Sequence, residues 1–447
     1  MNPLLFSKQD LRKIIVPLLI EQTLAITVGM LDAVMVASAG EAAVSAVSLV
    51  DPINLLLFYV FNALAAGGAV VTAQLLGKGR EDTAQEVSKQ LIWSSTIVAA
   101  VLTLLAIVFK NLLLSLVFGK ISADVMANAR SYFFYTALAY PFIAVYNACS
   151  AVFRAGGNSK ISMTTSLMMN GINLVGNAIL IYVFHMGAAG AAIATLFSRI
   201  VGAIFLLCRI CSPRAELRID KLWQFRPQWQ LIKRICWIGV PNGIESGMFQ
   251  IGKILTQSLI SGFGTMQIAA NAVANSLSAL HYVPGNAVSN TMTVVIGRCV
   301  GAGEKEQVKT YTKKLVGLTY ALIAVLVGLM VIFNKQLVGL YHLSDGASAL
   351  AEKIMIFQSI CISTIWPLAF TLASTFRASS DVHFPMIIAA VSMWVFRVGL
   401  SVVLGKYVGM GTLGVWLAMY CDWIFRAIVF TVHYIKGKWQ TYYQSLT

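Results

Sequence analysis

The sequence predicts an all-α membrane protein with twelve transmembrane helices. They form two six-helix bundles related by a pseudo-twofold axis along the membrane normal. Three observations carry that prediction. The first is composition: of 447 residues, 58% are hydrophobic and only 11% charged, with a mean hydropathy of +0.77. That is about half the usual charged share, too little to cover a water-facing surface of this size. The second is a set of long windows free of Asp, Glu, Lys and Arg, at 52–77, 90–109, 131–153, 161–198, 254–297, 315–334 and 354–376. The third is internal duplication. Pro17, Ile20 and Glu21 recur as Pro241, Ile244 and Glu245, and Gly40, Ala46, Gly77 and Gly79 recur as Gly264, Ala270, Gly301 and Gly303, all displaced by 224. Phe153-Arg154-Ala155 recurs as Phe376-Arg377-Ala378, and Met186-Gly187, Gly190 and Ala194 recur as Met410-Gly411, Gly414 and Ala418.

A spanning helix needs about 20 predominantly apolar residues. The windows 161–198 and 254–297 are long enough for two spans each, and His185-Met186-Gly187 and Gly262–Gly264 supply the breaks. Adding segments with isolated charges places spans near 13–38, 48–76, 90–109, 131–153, 161–184 and 188–211. A second set follows near 236–261, 272–297, 315–334, 354–376, 384–405 and 410–434. Six spans per half is an even number, so both halves start from the same side of the membrane, a parallel repeat. The expected organisation is an N-terminal lobe over 1–211, a cytoplasmic linker over 212–234 and a C-terminal lobe over 235–447. The segment 227–235 reads as a short amphipathic helix at the interface, as does Ser7–Arg12, although a plain linker fits equally well.

The net charge of +15 is a topology signal rather than a nucleic-acid signal. Lys8, Arg12 and Lys13 precede span 1, Lys78, Arg80 and Lys89 follow span 2, and seven Lys and Arg residues occupy 209–234. Cationic loops stay cytoplasmic, which places both termini inside a plasma or inner membrane. No cleavable leader is expected, since the first apolar segment is long and carries Glu21 and Asp32. The seven cysteines lie in or at the ends of spans and read as packing residues; Cys208 and Cys211 form a CxxC without a second pair. No metal motif or cofactor is expected. The five histidines are scattered, with no HxxxD or HExxH arrangement, so no enzyme is predicted.

Ionisable groups inside a membrane are costly and mark function or pairing. Asp32 in span 1 lies about six residues, roughly 9 Å, from the outer end, with no basic residue one turn away to neutralise it. Span 5 carries Asn170, Asn173 and Asn177 on one stripe, and Asn177 lies at a similar depth to Asp32. A lone carboxylate facing amide oxygens can hold a proton or a small hard cation such as Na⁺. The alternative is interhelical hydrogen bonding by the asparagines, with Asp32 paired to an arginine elsewhere. Glu21 and Glu245 are repeat equivalents, each four residues after a span proline, and are candidates for substrate contact, an inner gate or support of the shared fold. Glu21 and Asp32 are eleven residues apart, close to three turns, and share a face. Gln250, Lys253 and Gln257 form a stripe on span 7, and Arg397 lies in span 11. Asn170, Gln250, Lys253 and Arg397 are further candidates for substrate or gate roles. Buried cations here repel a cationic substrate unless Glu245 or Asp422 neutralises them. Asp422 and Arg426, four apart, are expected to pair. Phe133, Phe134, Tyr135, Met163, Met168 and Met169 are either cavity lining or packing.

Taken together, these residues resemble the multidrug and toxic compound extrusion (MATE) family, in its prokaryotic DinF-like branch. The resemblance covers essentially the whole chain. It rests on Pro17 with Leu31-Asp32, Gly40 through Leu49, Gln74–Gly79, Phe153–Asn158, Asn173 with Leu180–Tyr182, and Gly187–Ala192. The second half adds Gly239–Pro241, Gly301–Gly303 and Phe376–Ala378. The resemblance implies export of small organic compounds, often cationic, in antiport with H⁺ or Na⁺, through alternating access of two bundles, with no cofactor. It implies a coupling role for Asp32. The branch also carries an Asn and an Asp four apart in span 5; the Asn corresponds to Asn173, and the Asp position is Asn177 here. The span-7 carboxylate of some relatives falls near Phe249, one turn beyond Glu245. The alternative is a flippase for a lipid-linked precursor, for which Lys253 and Arg397 would face a pyrophosphate. A monomer in the bilayer is the expected assembly, since one chain supplies both lobes.

Overall fold

The computed structural model describes residues 4–118, 122–213, 215–220 and 222–440. A bilayer core offers no water to backbone N–H and C=O groups, and a helix satisfies them within one segment. The first half accordingly folds as α1 (Lys8–Ala37), α2 (Glu41–Gly77), α3 (Glu81–Phe118), α4 (Ala123–Ala155), α5 (Ser159–Asn177) and α6 (Gly187–Ile210). A π-helical turn over Ala178–Val183 extends α5. The second half comprises α7 (Trp229–Ser261), α8 (Thr265–His281), α9 (Val283–Gly301), α10 (Lys305–Ile332), α11 (Asn334–Gly339), α12 (Asp345–Thr364), α13 (Ala373–Ala378), α14 (His383–Ser392) and α15 (Gly411–Lys436). π-Helical stretches at Pro367–Thr371, Met393–Leu400 and Val403–Tyr407 join or extend these pieces.

Among the described residues nine helices are long and apolar enough to cross a membrane. Asp345–Thr364 with Pro367–Ala378, bent by 53°, makes a tenth. The other two expected spans are α7, which carries Lys233, Arg234, Glu245 and Lys253, and α8–α9, divided at Tyr282 next to Pro284. The duplication extends to the elements themselves. α2 runs from Glu41 to Gly77 and α8–α9 from Thr265 to Gly301, the same displacement of 224 at both ends. The preceding turn repeats as well: Gly40 and Gly264 have φ of 104° and 100°, a region open to glycine at little cost.

The chain divides into two compact units, Lys8–Gly243 and Ile244–Thr447 with Met1–Ser7. The division falls inside α7, just past Pro241. In the first unit α4 is central, with 78% of its most apolar stretch buried against 17% for α3, which leaves most of the α3 stretch uncovered by protein. Phe61, Phe133, Tyr140 and Ile143 form its core. The start of α7 belongs here and crosses α2 at backbone contact. A Cβ on Gly239 would lie 2.6 Å from Ala63 O, and one on Gly67 would lie 2.8 Å from Gly239 N. Small residues are what permit such a crossing. The segment 212–234 also packs on this unit. Trp93 Nε1 donates to Leu222 O at 2.8 Å, Gln90 Nε2 donates to Arg226 O at 2.8 Å, and the Trp93 ring stacks on Phe225.

The second unit is built on Trp366, Trp416, Tyr420 and Trp423 with Ile323, Ile354 and Ile362. The start of the chain joins it: Phe6 N donates to Tyr311 Oη at 2.9 Å, and Leu5 N to Gln307 Oε1 at 2.9 Å.

Candidate functional site

α1 and α5 lie side by side in the first unit, and the two acids of α1 both reach α5. Asp32 meets the amide end. Asn177 Nδ2 donates to Asp32 Oδ1 at 2.8 Å. Asn173 satisfies its neighbours when its amide nitrogen faces Asp32, at 2.9 and 3.1 Å from the two carboxylate oxygens. Its oxygen then faces Thr195 of α6, 3.3 Å from the backbone N and 3.1 Å from Oγ1. Asn173 and Asn177 are both buried, and Asn177 Oδ1 has no hydrogen-bond partner among the described residues. Asp32, Asn173 and Asn177 therefore stand together, as the depth argument expected. Asn170 lies one turn earlier on α5, outside this cluster, with its buried Nδ2 unpartnered.

A positive charge accompanies the acid. Arg199, one turn beyond Thr195 on α6, is within electrostatic reach of both Asp32 and Tyr146, and its buried Nε makes no hydrogen bond among the described residues. On α1 the cations Lys8, Arg12 and Lys13 lie far down the helix from Asp32, and the cation within electrostatic reach comes from α6. A second carboxylate lies nearby on α2. Asp51 Oδ1 accepts from Tyr132 Oη at 2.9 Å and, at 3.5 Å, from Asn54 Nδ2, while Tyr140 Oη donates to Asn54 Oδ1 at 2.8 Å.

Glu21 meets the start of α5. Its oxygens accept from Ser162 Oγ at 3.2 and 3.3 Å and from Tyr146 Oη at 3.3 Å, and Arg154 Nη1 donates to the same Ser162 Oγ at 3.3 Å. Its repeat equivalent is bound directly: Arg377 Nη2 lies 2.7 Å from Glu245 Oε1. Both glutamates are thus engaged by protein groups, and in each half the arginine of the repeated Phe-Arg-Ala motif is at hand.

In the second unit Asp422 Oδ1 accepts from Arg426 Nε at 2.8 Å, the expected i, i+4 pair, and Arg397 Nη1 stands 3.9 Å from Asp422 Oδ2. The Arg397 guanidinium lies 4.6 Å over the Phe249 ring. Lys253 and Arg397 line one cavity. Gln250, of the same helix as Lys253, does not line it. Phe133 and Met169 belong to packed interiors, Met169 lying against Gly202.

Reading the sequence missed Thr195 and the Asp51–Tyr132 pair. Thr195 had a weak signal, a hydroxyl shortly after the small-residue run Ala188–Ala192. Tyr132 had none, because its partner is 81 residues away.

The profile of a family described as MatE fits residues 17–179 and again 241–403. A probable multidrug resistance protein NorM from Thermotoga maritima is 25% identical over 442 residues, spanning 97% of this chain and 93% of its own. An uncharacterized transporter YisQ from Bacillus subtilis is 26% identical over 420 residues, spanning 92% and 91%. Among solved structures, a MATE protein in complex with MaL6 superposes with a TM-score of 0.91 at 20% identity, covering 98% of this chain and 97% of that one. An outward-facing multidrug resistance MATE family transporter of the MOP superfamily gives 0.90 at 19% identity, covering 98% and 97%. At that identity the structural likeness is one of fold. With one family match in each repeat and full-length relatives, this multi-pass membrane protein belongs to the MatE family of transporters.

Proposed function

We propose that the chain exports small organic compounds in antiport with H⁺ or Na⁺, with Asp32 as the coupling group and both termini in the cytoplasm. The observation that carries this reading is the surroundings of Asp32. It is an intramembrane carboxylate whose direct partners are the neutral amides of Asn173 and Asn177, with the unpartnered Asn177 Oδ1 beside it. A carboxylate locked to a guanidinium resists exchange, whereas one held by neutral amides can trade its charge for a proton or share it with a hard cation. The free Asn177 Oδ1 is the amide oxygen that joins the Asp32 carboxylate around such an ion, with Asn173 and Thr195 orienting the cluster, and no further cofactor enters the reading. Neutralising Asp32 weakens its hold on α5, and the ion drives reorientation of the lobes 1–211 and 235–447 only by its different affinity for the two states. The relatives named as multidrug resistance proteins support a small-molecule cargo.

Dye uptake into inside-out proteoliposomes under separately imposed pH and Na⁺ gradients tests the reading and names the ion. No uptake under either gradient would contradict it. A second reading, flipping of a lipid-linked pyrophosphate, draws on the paired cations Lys253 and Arg397.

A further inference from the structure

The second unit contains a small cavity, about 50 Å³, whose polar lining includes Lys253, Gln257, Asn271, Asn275, Arg397 and Trp416. Hydrogen bonds within its lining use two side-chain acceptors, Gln257 Oε1 and Asn271 Oδ1. Asn271 donates to Gln257 Oε1 at 2.8 Å and accepts from Trp416 Nε1 at 3.0 Å, and Asn275 Nδ2 donates to Asn271 O at 3.0 Å. That arrangement consumes the Gln257 oxygen and leaves its Nε2 free. Lys253 Nζ makes no hydrogen bond or ion pair among the described residues, and its recorded charged neighbour is Arg397, a second cation. Arg397, 7% exposed, makes no hydrogen bond through Nη1.

The nearby acids are already engaged. Glu245 is bound by Arg377 at 2.7 Å. Asp422 is bound by Arg426 at 2.8 Å and shared at 3.9 Å with Arg397. One carboxylate therefore serves two arginines, and among the described residues no acid pairs with Lys253, which stands exposed at the mouth of the cavity. An unbalanced charge at membrane depth is costly, so an occupant that lowers the energy here is an anion. An organic cation gains nothing: two like charges face it, and the Phe249 ring that would cradle it is covered by the Arg397 guanidinium at 4.6 Å. A drug-sized ligand needs about 300–1,000 Å³. The cavity therefore admits a head group and leaves the rest of the molecule outside.

We propose that this cavity is an oxyanion subsite which anchors the carboxylate or phosphate of an amphipathic substrate through Lys253, Gln257 and Arg397. The proposal rests on the export reading and narrows it from organic compounds in general to those carrying an oxyanion.

Rhodamine 110 and rhodamine 123 share a fluorophore, and the first carries a free carboxylate where the second carries its methyl ester. Binding of both to the purified full-length protein in detergent is measured by fluorescence anisotropy. The wild type is expected to bind rhodamine 110 about tenfold more tightly, about 1.4 kcal/mol. Lys253→Met removes the preference and Lys253→Arg retains it, with thermal unfolding confirming that both variants are folded. Equal, weaker or absent binding of rhodamine 110 in the wild type, or a preference undiminished in Lys253→Met, overturns the proposal. Displacement of rhodamine 110 by dihexanoyl phosphatidylglycerol but not by dihexanoyl phosphatidylcholine assigns the oxyanion to a lipid head group. A preference that survives both lipids assigns it to a soluble amphiphile. Proteoliposome uptake separates the two claims: export fails if neither dye moves under any gradient, whatever the binding preference, and the subsite fails if dye moves without a carboxylate preference.

Discussion

Arg377 donates to Glu245 across 2.7 Å, and the same two residues one repeat earlier, Arg154 and Glu21, are bridged by the Ser162 hydroxyl. The duplication has kept the partners and changed the contact. Breaking a buried charge pair on one side costs about 3–5 kcal/mol because the other charge is stranded. Arg377 is 23% and Glu245 12% exposed, so the cost here falls below that range, at about 2 kcal/mol. We expect Glu245→Gln to lower the unfolding temperature in detergent clearly more than Glu21→Gln, and Glu245→Gln with Arg377→Met to recover most of the loss. Equal shifts for the two glutamates would contradict the distinction.

The crossing of α2 and α7 gives a packing prediction. A valine at Gly239 places its Cβ against Ala63 O, a backbone atom that cannot turn aside. Overpacking costs about 1–3 kcal/mol, more when backbone must move. Gly239→Val should sharply reduce the yield of folded protein on size-exclusion chromatography. Gly171→Ala, where the added carbon meets nothing within 4 Å, should leave the yield unchanged.

Thr195 donates to the Asn173 oxygen from its backbone N and its hydroxyl and so turns the Asn173 amide nitrogen toward Asp32. Removing the hydroxyl forfeits about one hydrogen bond, about 1 kcal/mol. Thr195→Val should raise the half-saturating concentration of the coupling ion about fivefold while leaving maximal transport nearly intact. An unchanged ion dependence would place Thr195 outside the site.

Much of this was legible in the residues and some was not. The charge-free windows and the displacement of 224 predict the helices and their repeat, because membrane solvation leaves the backbone little choice. Asp32, Asn173 and Asn177 were legible because depth along two spans can be counted at a fixed rise per residue. Partners were harder. Whether Asp32 faces an arginine depended on Arg199, which α6 delivers, and helix neighbours are not encoded by periodicity. The break at Tyr282 between α8 and α9 lies inside a charge-free window, with Pro284-Gly285 as its local signal. The packing of 212–234 on α3 depends on Trp93 and Gln90, whose partners lie over 120 residues away.

A second carboxylate in α5 would extend the site. Asn177→Asp places an acid where Asn177 Nδ2 now donates to Asp32 at 2.8 Å, and two carboxylates that close cannot both stay ionised without a cation. The variant should exchange more ions per transported molecule and acquire a steeper pH dependence. If stoichiometry and pH dependence stay as in the wild type, α5 is not part of the coupling site.

The central claim is tested most directly by comparing wild type and Asp32→Asn in proteoliposome uptake under imposed pH and Na⁺ gradients, with thermal unfolding recorded for both. The account predicts gradient-driven uptake in the wild type and its loss in Asp32→Asn, with little change in unfolding temperature. Undiminished gradient-driven uptake by Asp32→Asn would contradict it.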